Sequence, residues 1–213
     1  MLFLNINSLR NKIYLILILI PLLLISDQLQ AKESKLLILG DSLSAAYGLK
    51  QEQGWVSLLQ DAWQSEDIDI VNAAISGETT DGALARLPRL LKQHKPTHVF
   101  IELGGNDGLQ GHSVSKMRNN LEKIIQLSQS SRAEVILQQM QIPTNYGRRY
   151  TQMFTTSYAQ LAEEHSVIML PFFLETIALD KSLMQRDGIH PNAEAQIIIA
   201  KDMQKILGKI IFP

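Results

Sequence analysis

The feature that most restricts what this chain can fold into is a recurrence of short, unbroken apolar runs separated by longer stretches of helical periodicity. The runs are Leu36–Leu39, Ile68–Ile75, Val99–Leu103, Val135–Leu137 and Val167–Leu170. None alternates cleanly between apolar and polar residues, so these are expected to be parallel strands buried on both faces. Between them Ala83, Leu84, Leu87, Leu90 and Leu91 share one helical face, with Pro88 expected to kink or locally break that helix. Val114, Met117, Leu121, Ile124, Ile125 and Leu127 form a second stripe. Met153, Phe154, Tyr158, Leu161 and Ala162 form a third, and Ala195, Ile198, Ile199, Met203 and Ile206 a fourth. A further helix is expected from about Gly54 to Gln64. Repeated strand–helix alternation implies an open parallel sheet covered by helices on both faces. With no repeat, linker or low-complexity stretch after residue 34, one domain over residues 35–210 is expected.

The first thirty-one residues read differently. Arg10 and Lys12 precede an uncharged apolar run from Ile13 to Ser26, and Ala31 offers a small residue at a cleavage point. This is the pattern of a secretory signal peptide over residues 1–31. The run is short of the ~20 apolar residues that a comfortable membrane span needs, and Pro21 interrupts it. The alternative is retention as an anchor, because Leu29 is not an ideal residue before the cut. A periplasmic or secreted location is therefore expected, with no stable membrane span after cleavage.

Composition removes several classes. Lys plus Arg number 20 and Asp plus Glu 21, a net charge of −1, so a general nucleic-acid binder is excluded for want of a basic surface. There is no cysteine, which excludes a disulfide scaffold, a Cys-based zinc site and a lipid-modified amino terminus.

In open parallel sheets the site lies beyond the carboxyl ends of the strands. Here those ends read Gly40-Asp41-Ser42-Leu43-Ser44, Asn72 through Ser76-Gly77-Glu78, and Gly104-Gly105-Asn106-Asp107-Gly108. Ser42 directly follows a strand and is a candidate nucleophile, provided a base can reach it. Of five histidines, His94 and His98 are separated by Pro96 and read as structural or solvated. His165 sits at a helix end beside Glu163 and Glu164, and His112 lies in a loop that could border a site. His190 stands in Asp187-Gly188-Ile189-His190-Pro191, where the Asp-x-x-His turn lets a carboxylate hold one imidazole nitrogen while the other faces outward. The glycine-rich segments fit neither a phosphate loop nor a dinucleotide fingerprint. Asn106 could cap a turn or donate to a developing oxyanion, as could the backbone N–H of Gly77.

Taken together, GDSLS at Gly40–Ser44, Gly77, GGND at Gly104–Asp107 and DGIH at Asp187–His190 resemble, in order, the four blocks of the SGNH (GDSL) hydrolases. NAAISGETTDGALARLPRLLKQH, ELGGNDGLQG, QIPTNYGRRY and LPFF resemble the bacterial periplasmic thioesterase, lysophospholipase and arylesterase branch of that family, and the likeness runs from about Lys35 to Leu207. Serine at position 44 departs from a G-x-S-x-G elbow and argues against an ordinary α/β-hydrolase. The resemblance implies a flavodoxin-like three-layer α/β/α sandwich with a five-stranded parallel sheet. It implies Ser42 as nucleophile, His190 as general base and acid, and Asp187 as the group orienting His190. The oxyanion hole would be the backbone N–H groups of Ser42 and Gly77 with the Asn106 amide, and no metal or organic cofactor is implied. The expected substrates are acyl esters and thioesters: fatty acyl thioesters, lysophospholipids or aryl esters. A carbohydrate O-acetyl esterase is the alternative, and a monomer is expected.

Overall fold

The computed structural model describes residues 34–212, so the expected signal peptide lies outside the described residues. Five strands form one sheet: β1 (Ser34–Gly40), β2 (Ile68–Asn72), β3 (His98–Glu102), β4 (Glu134–Gln138) and β5 (Ile168–Leu170). Their order is β2-β1-β3-β4-β5 and every pairing is parallel. Each apolar run supplies a strand because its residues are covered on both faces. Leu36 to Leu39 are wholly buried, and complete burial of such a side chain contributes about 1.5–3 kcal/mol.

The helices are α1 (Trp55–Ala62), α2 (Thr80–His94), α3 (Gly105–Leu109), α4 (Val114–Ser130), α5 (Arg148–His165) and α6 (Ala193–Ile211). The connection from β1 to β2 runs one way along the sheet, and the later crossovers run the other. Right-handed crossovers therefore place α1 on one face and α2, α4 and α5 on the opposite one. The packing agrees, since α1 lies on α6 while α2 packs on α4 and α4 on α5. The result is a three-layer α/β/α sandwich. No helix among the described residues is long and apolar enough to cross a membrane.

Several local expectations shift. The second strand ends at Asn72, whose side chain accepts from Ala74 N and donates to Ser44 O, although the backbone N–H groups of Ala73 and Ile75 still donate to Ile38 O and Gly40 O of β1. Helix α2 runs through Pro88 without a break. Pro88 is exposed there, so water can satisfy the carbonyl that the ring leaves without a donor. Leu127, Met153 and Ile198 are exposed, and their places in the buried stripes go to Ser128, Ser157 and Leu207. The small hydroxyls of Ser128 and Ser157 bond back to the carbonyls of Ile124 and Met153, which makes their burial tolerable. Finally, Gly105–Leu109, which follows the end of β3 and carries no helical signal in the sequence, forms a short helix.

Candidate active site

The sheet reverses its winding between β1 and β3, so their carboxyl ends open a crevice. Ser42 lies in the turn that leaves β1, Gly77 in the loop after β2, and Asn106 in the first turn of α3 after β3. His190 arrives from far along the chain, in the loop before α6. That loop is tied down by Gln185, whose Nε2 donates to the carbonyls of Tyr47 (2.7 Å) and Pro191 (3.1 Å) while its backbone N–H donates to His190 O at 2.8 Å. The Tyr47 ring packs on the imidazole, with centroids 4.3 Å apart.

Asp187, His190 and Ser42 form a continuous chain of hydrogen bonds. Asp187 Oδ1 accepts from the backbone N–H groups of Ile189 (2.9 Å) and His190 (3.0 Å), which closes the turn. This leaves Oδ2 for His190 Nδ1 at 2.7 Å. Nδ1 therefore carries its proton toward Asp187, and Nε2 is free to accept from Ser42 Oγ, 2.9 Å away. Partial burial works against charge on Asp187, but those two backbone donors and the imidazole outweigh it and lower the carboxyl to about 2. It is thus an anion throughout the range in which histidine chemistry operates.

The backbone N–H groups of Ser42 and Gly77 have no hydrogen-bond partner among the described residues, which leaves both available to a ligand oxygen. A Cβ at Gly77 would meet nothing within 4 Å, so glycine is not required there for access. It is required by the backbone, which sits at φ +78°. The Asn106 amide is engaged: Nδ2 donates to Asp41 Oδ2 at 3.0 Å and to Glu78 O at 3.1 Å. Glu78 itself is held by Arg86, whose Nε–H is shared between the two carboxylate oxygens and whose Nη2 donates to Oε2.

Ser42, Gly77, Asn106 and His190 line a crevice of about 600 Å³ whose further walls include Leu109, Met140, Ile142, Phe172, Leu174 and Met184. The residues after β4 and β5 thus complete the site with apolar surface.

The other histidines lie elsewhere. His98 Nε2 is 3.2 Å from Glu134 Oε2 at the amino end of β3, and burial lowers its pKa. His94 ends α2, and His165 ends α5 with Nε2 3.4 Å from Glu122 Oε1. His112 uses its carbonyl to accept from Tyr150 Oη and is absent from the crevice lining. Among the described residues, the metal-ligand-type cluster is Glu122, Glu164 and His165, and Arg118 already pairs with both carboxylates. The last residue of the GGND block is structural. Asp107 accepts from Thr80 N and Thr80 Oγ1, at 2.9 and 2.7 Å, and so anchors the start of α2.

Sequence patterning gives Asp41 and Ser44 only as members of the strand-end motif and does not single out Glu102, yet the three lie buried together beneath Ser42. A signal was present, since Glu102 is an acid inside the otherwise apolar run Val99–Leu103.

Comparison with known proteins places this geometry. The GDSL-like Lipase/Acylhydrolase family model matches residues 38–196. The chain is 49% identical over 181 residues to thioesterase 1/protease 1/lysophospholipase L1 of Escherichia coli K12, spanning 85% of this chain and 86% of that one. It is 48% identical over 182 residues to an arylesterase of Vibrio mimicus, spanning 84% and 90%. The crystal structure of the psychrotrophic esterase EstA from Pseudoalteromonas sp., inhibited by monoethylphosphonate, superposes with a TM-score of 0.82 at 49% identity, covering 84% of this chain and all of that one. With the family match extending from β1 into α6, this chain belongs to the GDSL-like lipase/acylhydrolase family and is a hydrolase.

Proposed function

We propose that the chain is a serine esterase and thioesterase that hydrolyses acyl substrates through an acyl-enzyme on Ser42. The carrying observation is the hydrogen-bonded line Asp187–His190–Ser42 opening on a crevice with apolar walls. His190 Nε2 takes the Ser42 proton as Oγ attacks the acyl carbonyl, and the imidazolium formed is stabilised by ionised Asp187. The negative oxygen is received by the N–H groups of Ser42 and Gly77 and by the Asn106 amide. His190 then gives its proton to the leaving alcohol or thiol as that bond breaks. A water, deprotonated by the same imidazole, attacks the acyl-enzyme, and Ser42 recovers its proton as the carboxylic acid leaves.

The apolar walls favour medium to long acyl chains, from fatty acyl thioesters, lysophospholipids or aryl esters, a range that agrees with the names of the relatives. The crevice holds little that would select a carbohydrate, so acetyl removal from polysaccharide is not favoured. The basic-then-apolar amino terminus supports export to the periplasm, with cleavage after Ala31. We further propose a monomer as the assembly. Fluorophosphonate labelling of wild type and Ser42→Ala, with p-nitrophenyl esters from acetate to palmitate, tests the reading. Labelling that persists in Ser42→Ala, or activity confined to acetate, would refute it. Sizing of the purified protein checks the monomer.

A further inference from the structure

Glu102 ends β3 in register with Gly40, the last residue of β1. Its side chain is wholly buried, directly under the turn that carries Ser42. Glycine at 40 makes room for it, since a Cβ there would lie 2.8 Å from Glu102 Oε2. Oε2 accepts from the Asp41 N–H at 3.2 Å and from Ser44 Oγ at 2.8 Å, so one carboxyl oxygen clamps both flanks of the nucleophile. The other oxygen, Oε1, has no hydrogen-bond donor. An ionised carboxylate with one oxygen orphaned in the interior would be strongly disfavoured.

The neighbouring acid resolves this. Asp41 is also buried and its backbone N–H lies on Glu102 Oε2, so two ionised carboxylates would be held side by side in the interior, which favours a proton on one of them. Asp41 has donors on both oxygens, Leu43 N at 3.1 Å on Oδ1 and Asn106 Nδ2 at 3.0 Å on Oδ2. Both Asp41 oxygens are therefore met by protein donors, whereas an ionised Glu102 would leave Oε1 unmet.

We propose that Glu102 is a positioning residue for the reaction proposed above, serving as a neutral acid that donates its proton to Asp41, which in turn holds the Asn106 amide. The arrangement leaves a single negative charge beneath the oxyanion where two would oppose it. It also links the Ser42 turn and Asn106 through one buried pair. Burial raises both carboxyls, and Glu102 well above the usual carboxylate range, in keeping with this assignment.

The inference rests on the esterase reading, but its test separates the two. Glu102→Gln keeps an acceptor and a donor without an ionisable group. Glu102→Leu keeps bulk and removes both. We expect Glu102→Gln to retain kcat within about threefold, and Glu102→Leu to lose roughly tenfold or more in kcat with KM nearly unchanged, because the loss is felt only as charge develops. The rate of Ser42 phosphonylation should fall in parallel. In the infrared difference spectrum of wild type minus Glu102→Gln at neutral pH, the protonated carboxylic C=O band should be the one lost.

Loss of an ionised carboxylate band instead would overturn the proposal, as would a Glu102→Gln enzyme as slow as Glu102→Leu. Unchanged kcat in Glu102→Leu would overturn the positioning role. Should Glu102→Leu fail to fold, the spectrum and the glutamine variant still decide. Failure of the esterase reading would show separately, as wild-type protein that phosphonate does not label.

Discussion

Replacing Asn106 by alanine separates two roles that the structure gives to one amide. In the resting site Nδ2 donates to Asp41 Oδ2 and to Glu78 O. The side chain is therefore a structural tie as well as a candidate oxyanion donor. Removing it takes one hydrogen bond from a buried carboxylate, about 1.5–3 kcal/mol, and one from a carbonyl, about 0.5–1.5 kcal/mol. The sum, roughly 2–4.5 kcal/mol, corresponds to a fall in Tm of about 5–15 °C for a domain of this size. To serve the oxyanion, the amide must exchange the Glu78 carbonyl for the substrate oxygen, which offsets part of what it contributes. The loss in kcat is therefore expected near the lower end of the ~10²–10³-fold range for an oxyanion donor, with little change in KM. The assay is steady-state kinetics on a p-nitrophenyl ester well below the melting point, beside a thermal melt. A lowered Tm with kcat near the wild-type value would refute the oxyanion role and leave Asn106 a structural tie alone.

Three further outcomes follow from the same geometry. Ser42→Ala and His190→Ala should each remove nearly all turnover, and the double variant should be no worse than either, as steady-state rates would show; additive losses would mean that the pair does not act as a unit. Asp187, lowered from 3.8 to about 2, contributes stability that is complete above its ordinary value and disappears as pH falls through the folded one. The Tm difference between wild type and Asp187→Asn should accordingly shrink from pH 3.8 toward pH 2, and a difference that stays constant across that window would refute the linkage. Ile142→Trp, which fills part of the apolar wall, should lower kcat/KM for long-chain p-nitrophenyl esters by roughly tenfold while sparing acetate; equal losses on both would place the acyl chain elsewhere.

The layers and the chemistry of the triad can be read along the linear chain. Leu36–Leu39 and Val99–Leu103 announce doubly covered strands because burial on both faces leaves no reason for alternation. The Asp187–His190 pairing was legible because it is local: a turn of four residues closes on its own backbone donors, and the carboxylate oxygen left over meets the ring. The pairing of that turn with Ser42 was legible only through the ordered blocks, since 148 residues separate the two.

The strand order, the end of β2 at Asn72, the helix at Gly105–Leu109 and the cluster beneath the nucleophile emerge only in three dimensions. Those features depend on which distant groups meet. The Asn72 side chain fastens the end of β2 to Ser44 O, and Glu102 can stay in an apolar strand because Gly40, Ser44 and Asp41 surround it. Whether a buried acid is charged depends on the donors around it, and here they come from segments some 60 residues away in sequence. A linear pattern specifies what a residue must hide from water, whereas the fold alone settles which atoms it hides against.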